Sequence, residues 1–365
     1  MSDRGLKHSQ PMGDAARLLL AAARERFSVA AADLLLPEQA RLTEWQRVTA
    51  SALLLRLVRS IEEALRARLA EDFRDREGLH AALGSTRVEI ALPLLERAQA
   101  LRDAELGTVL VRRIEEHRFW KENAKGSDDF LNNLVSDGDE GVAADAMALL
   151  IARSRRFDRF QEPLMAQTDL PAELQHRLVW MIAAALRHYM VQHHAVPSGA
   201  ADAAIAAAAG ELIASHDEGQ GLEACSMRLA RRLHQAGRLE GPDLARLLEE
   251  GQLPLFIAGI AVRCSLDYAA AWEILSDPQG RGAPLLMRFG RVEREAAAWI
   301  LLMLSARGRV FSGAEGDAAA TQLDQFDAAT EASALEVLRL WQVDPGYRAA
   351  IARLSTRSRS APEAA

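Results

Sequence analysis

Apolar residues recur along this chain at helical spacing. Leu54, Val58, Ile61, Leu65 and Leu69 follow at steps of four, three, four and four. Such steps lay one apolar stripe down a single helix face. Glu62 and Arg66 stand an i,i+4 step apart on the side that the pattern assigns as polar. Adjacent Glu62 and Glu63 point in different directions on a helix, so they cannot act as a carboxylate pair. Both are expected on a solvated face. Leu174, Leu178, Met181, Ala185 and Tyr189 draw a second stripe. Pro171 is expected in the first turn of that helix, where its missing N–H matters little. No stretch sustains period-two alternation, so no significant sheet is predicted.

Helix starts and stops are also written in the chain. Asp103, Asp139 and Ser265 each precede a helical run and are expected to cap it. Gly241, Gly251, Gly290 and Gly308 punctuate the C-terminal half at helix-length intervals. Pro93 falls inside an otherwise helical stretch, residues 88–101, and is expected to kink or restart it. An imperfect repeat pairs Val88 with Val142, Leu95 with Leu149, Ala98 with Ala152, Leu106 with Phe160 and Leu110 with Leu164. Its offset exceeds one unit of a two-helix repeat.

These signals give an all-α fold of HEAT-like stacked helix pairs in two helical halves. Residues 1–12 and 356–365 read as polar tails. Residues 13–195 form the expected N-terminal helical domain and 222–355 the C-terminal one. Between them, residues 196–221 carry Pro197, Ser198 and Gly199 and then an Ala-rich run. Alanine becomes helical at little entropic cost, but it offers small apolar bulk. A spacer or lightly packed surface helix is therefore expected there. A second break falls at residues 311–317.

Composition narrows the function. Apolar residues make up 49% of the chain, dominated by Ala and Leu, so a sizeable core is available. A net charge of -7 argues against nonspecific binding to nucleic acid or to an anionic membrane. Residues 1–11 lack the apolar stretch of a signal peptide. The longest apolar runs, such as residues 296–304, fall short of the roughly 20 residues that span a bilayer. Cys225 and Cys264 stand far apart among apolar neighbours and read as two buried free thiols. A cytoplasmic setting fits these features.

Candidate chemistry is sparse. His188, His193 and His194 cluster near Tyr189 at a helix end. They lack the spacing of a hydrolytic zinc site and suit the negative end of a helix dipole. Arg153, Arg155, Arg156 and Arg159 form a basic knot interleaved with Phe157 and Phe160, and Arg228, Arg231 and Arg232 form a second. Such knots can grip an acidic partner or a phosphate, or simply pair with the surplus carboxylates. Arg118 and Trp120 join an aromatic–basic cluster with His117, Phe119 and Lys121 at an expected helix end. Trp and Arg are the residue types that dominate interface hot spots. Arg118, Trp120, Arg153, Arg155, Arg156 and Arg159 are accordingly the candidate partner-binding residues. There is no P-loop, no G-x-S-x-G elbow, no dinucleotide glycine fingerprint and no paired C-x-x-C. No catalytic residue, cofactor or metal ligand is assigned.

Several stretches together carry a family resemblance. They are residues 53–69 (LLLRLVRSIEEALRARL), 87–95 (RVEIALPLL, with Pro93), 132–142 (NNLVSDGDEGV), 170–186 (LPAELQHRLVWMIAAAL) and 229–256. In these the chain resembles the uncharacterised, mostly alphaproteobacterial proteins grouped as "domain of unknown function 2336". The resemblance implies a HEAT-like, all-helical fold and interaction roles. It supplies no catalytic residue. The function expected is a non-enzymatic scaffold or adaptor that binds another protein, with self-association as a further option. The alternative is a nucleic-acid-binding or base-excision-type enzyme on the same scaffold, which needs a basic concavity, a stacking aromatic and an inward carboxylate.

Overall fold

The computed structural model describes residues 41–85, 87–123, 129–277, 280–307 and 318–330, with a discontinuous set between 332 and 354. Every named element among them is helical, and the one backbone bridge, Phe157 to Pro163, is isolated. The order begins α1 (Glu44–Asp72), α2 (Glu77–Gly84), α3 (Ala91–Arg97) and α4 (Ala104–Asn123). There follow α5 (Asp129–Val135), α6 (Glu140–Ser154), α7 (Ala172–His194) and α8 (Ser198–Ala214). The chain continues with α9 (Leu222–Gln235), α10 (Gly241–Glu249), α11 (Leu253–Arg263) and α12 (Tyr268–Leu275). It closes with α13 (Gly282–Phe289), α14 (Arg294–Arg307) and α15 (Ala318–Ala328). Gly308 and residues 311–317, like both expected tails, lie outside the described residues.

The stripe predicted on α1 is buried: Val58, Ile61, Leu65 and Leu69 are sealed from solvent. Glu62 and Arg66 depart from expectation, for they are buried as well. Their packing supplies the reason. Glu62 accepts from the backbone N–H groups of Ile90 (3.1 Å) and Ala91 (3.0 Å), at the start of α3. Arg66 donates to the carbonyls of Ala82 (2.7 Å), Leu83 (2.9 Å) and Val88 (2.8 Å), around the end of α2. An acid thus satisfies a helix N-terminus and a base a helix C-terminus, each where the dipole favours it. The two also pair at 3.1 Å. Glu63 alone of the neighbouring acids keeps the solvated face.

Pro93 sits in the first turn of α3, so it restarts the chain rather than kinking a long helix. Asp103 and Asp139 cap α4 and α6 as expected; Asp139 accepts from Gly141 and Val142. Pro171 stands just before α7 rather than inside its first turn. Ser265 does not cap. It adopts a left-handed backbone (φ 55°) that closes α11, and Asp267 caps α12 instead, accepting from Ala270 at 2.6 Å. Gly241 opens α10 rather than ending a helix. Five helix ends share one closure, in which the residue after a left-handed position donates back five residues. Gly237 and Gly251 hold that position in two cases, but Gln99, Ser265 and Arg291 hold it in the others.

Two apolar cores divide the molecule, and not at Pro197. The first gathers α1, α2, α3, the first half of α4, α7 and α8. The second gathers α5, α6 and α9 through α15. Helix α8 is therefore no spacer. Ala201, Ile205, Ala208, Ala209 and Leu212 are buried against α7 and α1, because small side chains let helix backbones approach closely. Residues 129–154, expected in the N-terminal domain, belong to the second core. The chain enters that core with α5 and α6, returns to the first for α7 and α8, then leaves it again. The 54-residue repeat does not survive either: Leu106 is buried while its counterpart Phe160 is 68% exposed. Helix α3 has seven residues and α6 fifteen, so the register cannot be shared.

No single described helix is long and apolar enough to cross a membrane. The bent pair α11 and α12 is apolar because it lies at the centre of the second core. At Gly282 a Cβ would fall 1.7 Å from the carbonyl oxygen of Ile274, so only glycine lets α13 start against α12.

Replacing Glu62 with alanine strips one capping acid and leaves Arg66 buried without its partner. The expected loss is about 3–5 kcal/mol in urea denaturation. Glu63→Ala should stay within about 0.5 kcal/mol of the parent. Equal effects at the two positions would contradict the capping role.

Candidate functional site

Among the described elements, α4 alone serves both cores. Leu106, Val109, Leu110 and Ile114 lie in the first, and Phe119 in the second. It packs on α1 and also touches α11. Between the cores its whole circumference is enclosed: Arg112, Arg113, Ile114, Glu115, Glu116 and His117 are all buried. Five of those six side chains are ionisable. Buried charges persist only when paired and hydrogen-bonded, so partners must arrive from elsewhere in the fold.

They do so around Glu116. One carboxylate oxygen, Oε2, accepts from Arg156 at 2.7 Å and from Arg113 at 3.2 Å. The other, Oε1, accepts from the Tyr268 hydroxyl at 2.9 Å. Arg113 donates onward to Asp169 at 2.7 Å. Asp169, in the turn before α7, accepts from the backbone N–H of Leu222 at 3.1 Å and so caps α9. Arg112 pairs with Glu223, and its guanidinium lies 5.4 Å from the Tyr268 ring centre. On the other side, Glu115 accepts from Gln46 of α1 at 2.5 Å and pairs with Arg118 at 2.6 Å. The network thus ties α4 to α1, to the exit of α6, to the turn before α7, to α9 and to α12.

Electrostatics follows from this crowding. Burial pulls the Arg113 guanidinium down, but Asp169, Glu116 and Glu223 outweigh it and hold the group above its ordinary value. Arg156 is pulled down to about 10, first by burial and then by the like charge of Arg113. The Tyr268 phenol is held well above its usual range by burial and then by Glu116 and Glu223. Burial pushes Glu223 up to about 7 against the pull of Arg112. Solvent still reaches 28% of its side chain, so the energetic weight of that shift is less than in a sealed site. His117 is lowered to about 4 by burial, then by the positive charges of Lys121 and Arg156.

A narrow cleft opens beside this network. Trp120 of α4, Leu149 and Arg153 of α6, and Arg156 and Phe157 of the following turn line one side. Leu222 of α9 and Gly251, Gln252, Pro254 and Leu255 at the start of α11 line the other. The Trp120 and Phe157 rings stack at 4.4 Å, with His117 at 5.6 Å from Phe157. The free space in the throat matches about one water-sized group.

Of the six residues singled out from sequence, Trp120, Arg153 and Arg156 meet in this cleft. Arg156 is not a surface residue: it is buried because Glu116 needs it. Arg155 and Arg159 are exposed, and Arg159 lies over the Phe160 ring at 4.6 Å. Arg118 is occupied by Glu115. The second arginine knot faces elsewhere, with Arg232 and Arg228 paired to Asp145. His193 and His194 stand in the last turn of α7, packed on Tyr189, and no group of three metal-binding side chains occurs among the described residues. Both cysteines are buried free thiols, and burial pushes Cys264 up to about 12. Arg112, Arg113, Glu115, Glu116, Asp169, Glu223 and Tyr268 carry no local pattern that marks them as a site. The one available signal was the run of residues 112–117, which mixes charge with no consistent polar face.

Glu223 and His117 should load stability in opposite directions. Glu223, raised from 4.5 to about 7, stabilises the fold fully below pH 4.5 and loses that contribution as pH rises through 7. His117, lowered from 6.5 to about 4, contributes above pH 6.5 and loses its contribution as pH falls through 4. Between about pH 4.5 and 6.5 the two slopes oppose. Glu223→Gln should therefore make the Tm climb more steeply with pH in that window, and His117→Gln should make it fall. Thermal melts over the window check this; parallel profiles for the parent and both variants would exclude it.

No curated protein and no solved structure matches the chain. A family model does, over residues 124–339, more than half of the length. That range holds the stretches at 132–142, 170–186 and 229–256 but not those at 53–69 and 87–95. It includes Arg156, Asp169, Glu223 and Tyr268, though not α4 itself. The chain is a member of the family described as "Uncharacterised protein conserved in bacteria (DUF2336)".

Proposed function

We propose that this protein is a non-catalytic binding module and that its partner is an acidic, partly apolar segment of another protein. One observation carries this reading: apolar and basic side chains stand exposed together along α6 and its exit. Met147 and Ile151 share a helix face at 45% and 48% exposure. Arg155 continues that face one turn on, and Arg159 and Phe160 follow in the same exposed turn. Large apolar side chains left in water next to arginines are typical of contact surfaces. The stacked Trp120 and Phe157 lie at the same exit and stiffen its edge.

Support for binding over catalysis is chemical. Among the described residues, no carboxylate lines the cleft. Glu116, which shares Arg156 with it, is held by three donors and has no freedom to act as a base. The base-excision alternative needs an inward acid, and the described lining offers none. Stacked helix pairs of the α7–α8 kind, arranged HEAT-like, would present such a surface without any reacting group. The setting that fits a bacterial chain with two free thiols is the cytoplasm.

A photo-crosslinking residue at Ile151 or Phe160 should capture one dominant protein in the native cell. The same residue at Ala203, exposed on α8, should not. The double charge reversal Arg155→Glu, Arg159→Glu should reduce capture roughly tenfold, because it replaces attraction with repulsion. Crosslinks spread evenly over the three positions, or capture indifferent to charge reversal, would reject the assigned face.

A further inference from the structure

We infer that the acidic, partly apolar segment recognised by the α6 face is the outer face of α14 in a second copy of this chain. The inference rests on the binding reading above and names its partner. Three observations converge on it.

The first is a second surface of opposite charge. Trp299 and Leu302 of α14 stand in water at 47% and 46% exposure. Glu295 and Ala306, also exposed, fall at helical steps before and after them, so the four residues form one outward stripe. Glu249 of α10 lies beside that stripe, and its carboxylate accepts from the Trp299 indole N–H at 2.5 Å. The indole donor is neutral, so the carboxylate keeps its charge. Two basic neighbours are already engaged, Arg294 with Asp327 at 2.7 Å and Arg246 with Glu250 at 2.8 Å. Tryptophan and leucine flanked by acids complement a surface of Met147, Ile151, Arg155 and Arg159.

The second is register. Ala144, Met147, Ile151 and Arg155 form the exposed stripe of α6. It spans eleven positions, as does the stripe from Glu295 to Ala306. Laid antiparallel, Arg155 meets Glu295, Ile151 meets Trp299, Met147 meets Leu302 and Ala144 meets Ala306. The large apolar side chains fall opposite one another, and an ion pair closes one end. Two alanines at the other end let the helices approach closely. The parallel arrangement is disfavoured. It brings Glu140, exposed at the head of α6, near Glu295 and leaves Arg155 on Ala306.

The third is position. Within one chain α6 packs on α5 and α9, while α14 packs on α10 and α15. Both stripes stay exposed in the folded chain, so they can meet only between copies. Because the two faces differ, the contact is head-to-tail.

The test uses the full chain. Light scattering over a dilution series should show a mass that rises with concentration. Arg155→Glu with Arg159→Glu, and separately Glu295→Arg, should each weaken the association roughly tenfold. Mixing these two variants should restore it, because every α6 face then finds an α14 face of opposite sign. A photo-crosslinking residue at Ile151 in the purified protein should attach to α14 of another copy. A constant monomer mass, variants that stay apart when mixed, or crosslinks that miss α14 would each overturn the inference. A monomeric chain whose Ile151 captures a different protein in the cell, in a charge-dependent way, would reject the second copy alone and retain the α6 face. Association indifferent to the reversal of Arg155 and Arg159 would reject the second copy and the α6 face together.

Discussion

The fold is organised around a charge that cannot be left alone. Glu116 lies inside the protein on the enclosed middle of α4, and its two oxygens take hydrogen bonds from Arg113, Arg156 and Tyr268. An unpaired carboxylate at that depth would be far too costly, so each donor has to be delivered. Delivery sets the architecture. Arg156 fixes where the chain leaves α6. Asp169, held by Arg113, fixes the turn into α7 and the start of α9. Tyr268 fixes the start of α12. A buried ionic network of this kind adds little net stability over an apolar filling, but it penalises every wrong arrangement of its helices. Here it registers two apolar cores that, among the described residues, share only α4 as a continuous element.

The cleft is a by-product of the same arrangement. Arg156 must turn inward to Glu116, and Phe157, next in the chain, comes to rest on Trp120 one turn beyond Glu116 on α4. The start of α11 completes the cleft, and α4 touches α11. The same side chain that holds Glu116 therefore also lines the cleft. Charge at this seam is finely balanced, since burial and then like charges lower Arg156 and His117 while burial raises Glu223.

Apolar periodicity was a faithful guide wherever a helix has one wet face and one dry face. It located α1, α7 and the capping of α4 and α6 from residues such as Leu65, Leu178, Asp103 and Asp139. It failed where the environment of a residue is set by distant parts of the chain. Glu62 and Arg66 obey the spacing of a surface ion pair, but they serve the ends of α3 and α2. The left-handed closures at Gln99, Ser265 and Arg291 carry no glycine to announce them. Pro197 marks a helix start, and the Ala-rich stretch behind it packs tightly into the first core.

What the sequence by itself determined is local: the all-helical character, several helix starts, the burial of both thiols, and the presence of aromatic–arginine clusters near Trp120 and Arg156. These follow from backbone propensity, capping chemistry and apolar spacing, which act over one or two turns. Tertiary structure alone decided which charges are buried, how the chain divides between its cores, and which clustered residues meet. Arg113 and Asp169 are 56 positions apart, and Glu116 and Tyr268 are 152 apart. No local pattern encodes such pairings, because each becomes favourable only once packing has removed the water that would otherwise solvate both partners.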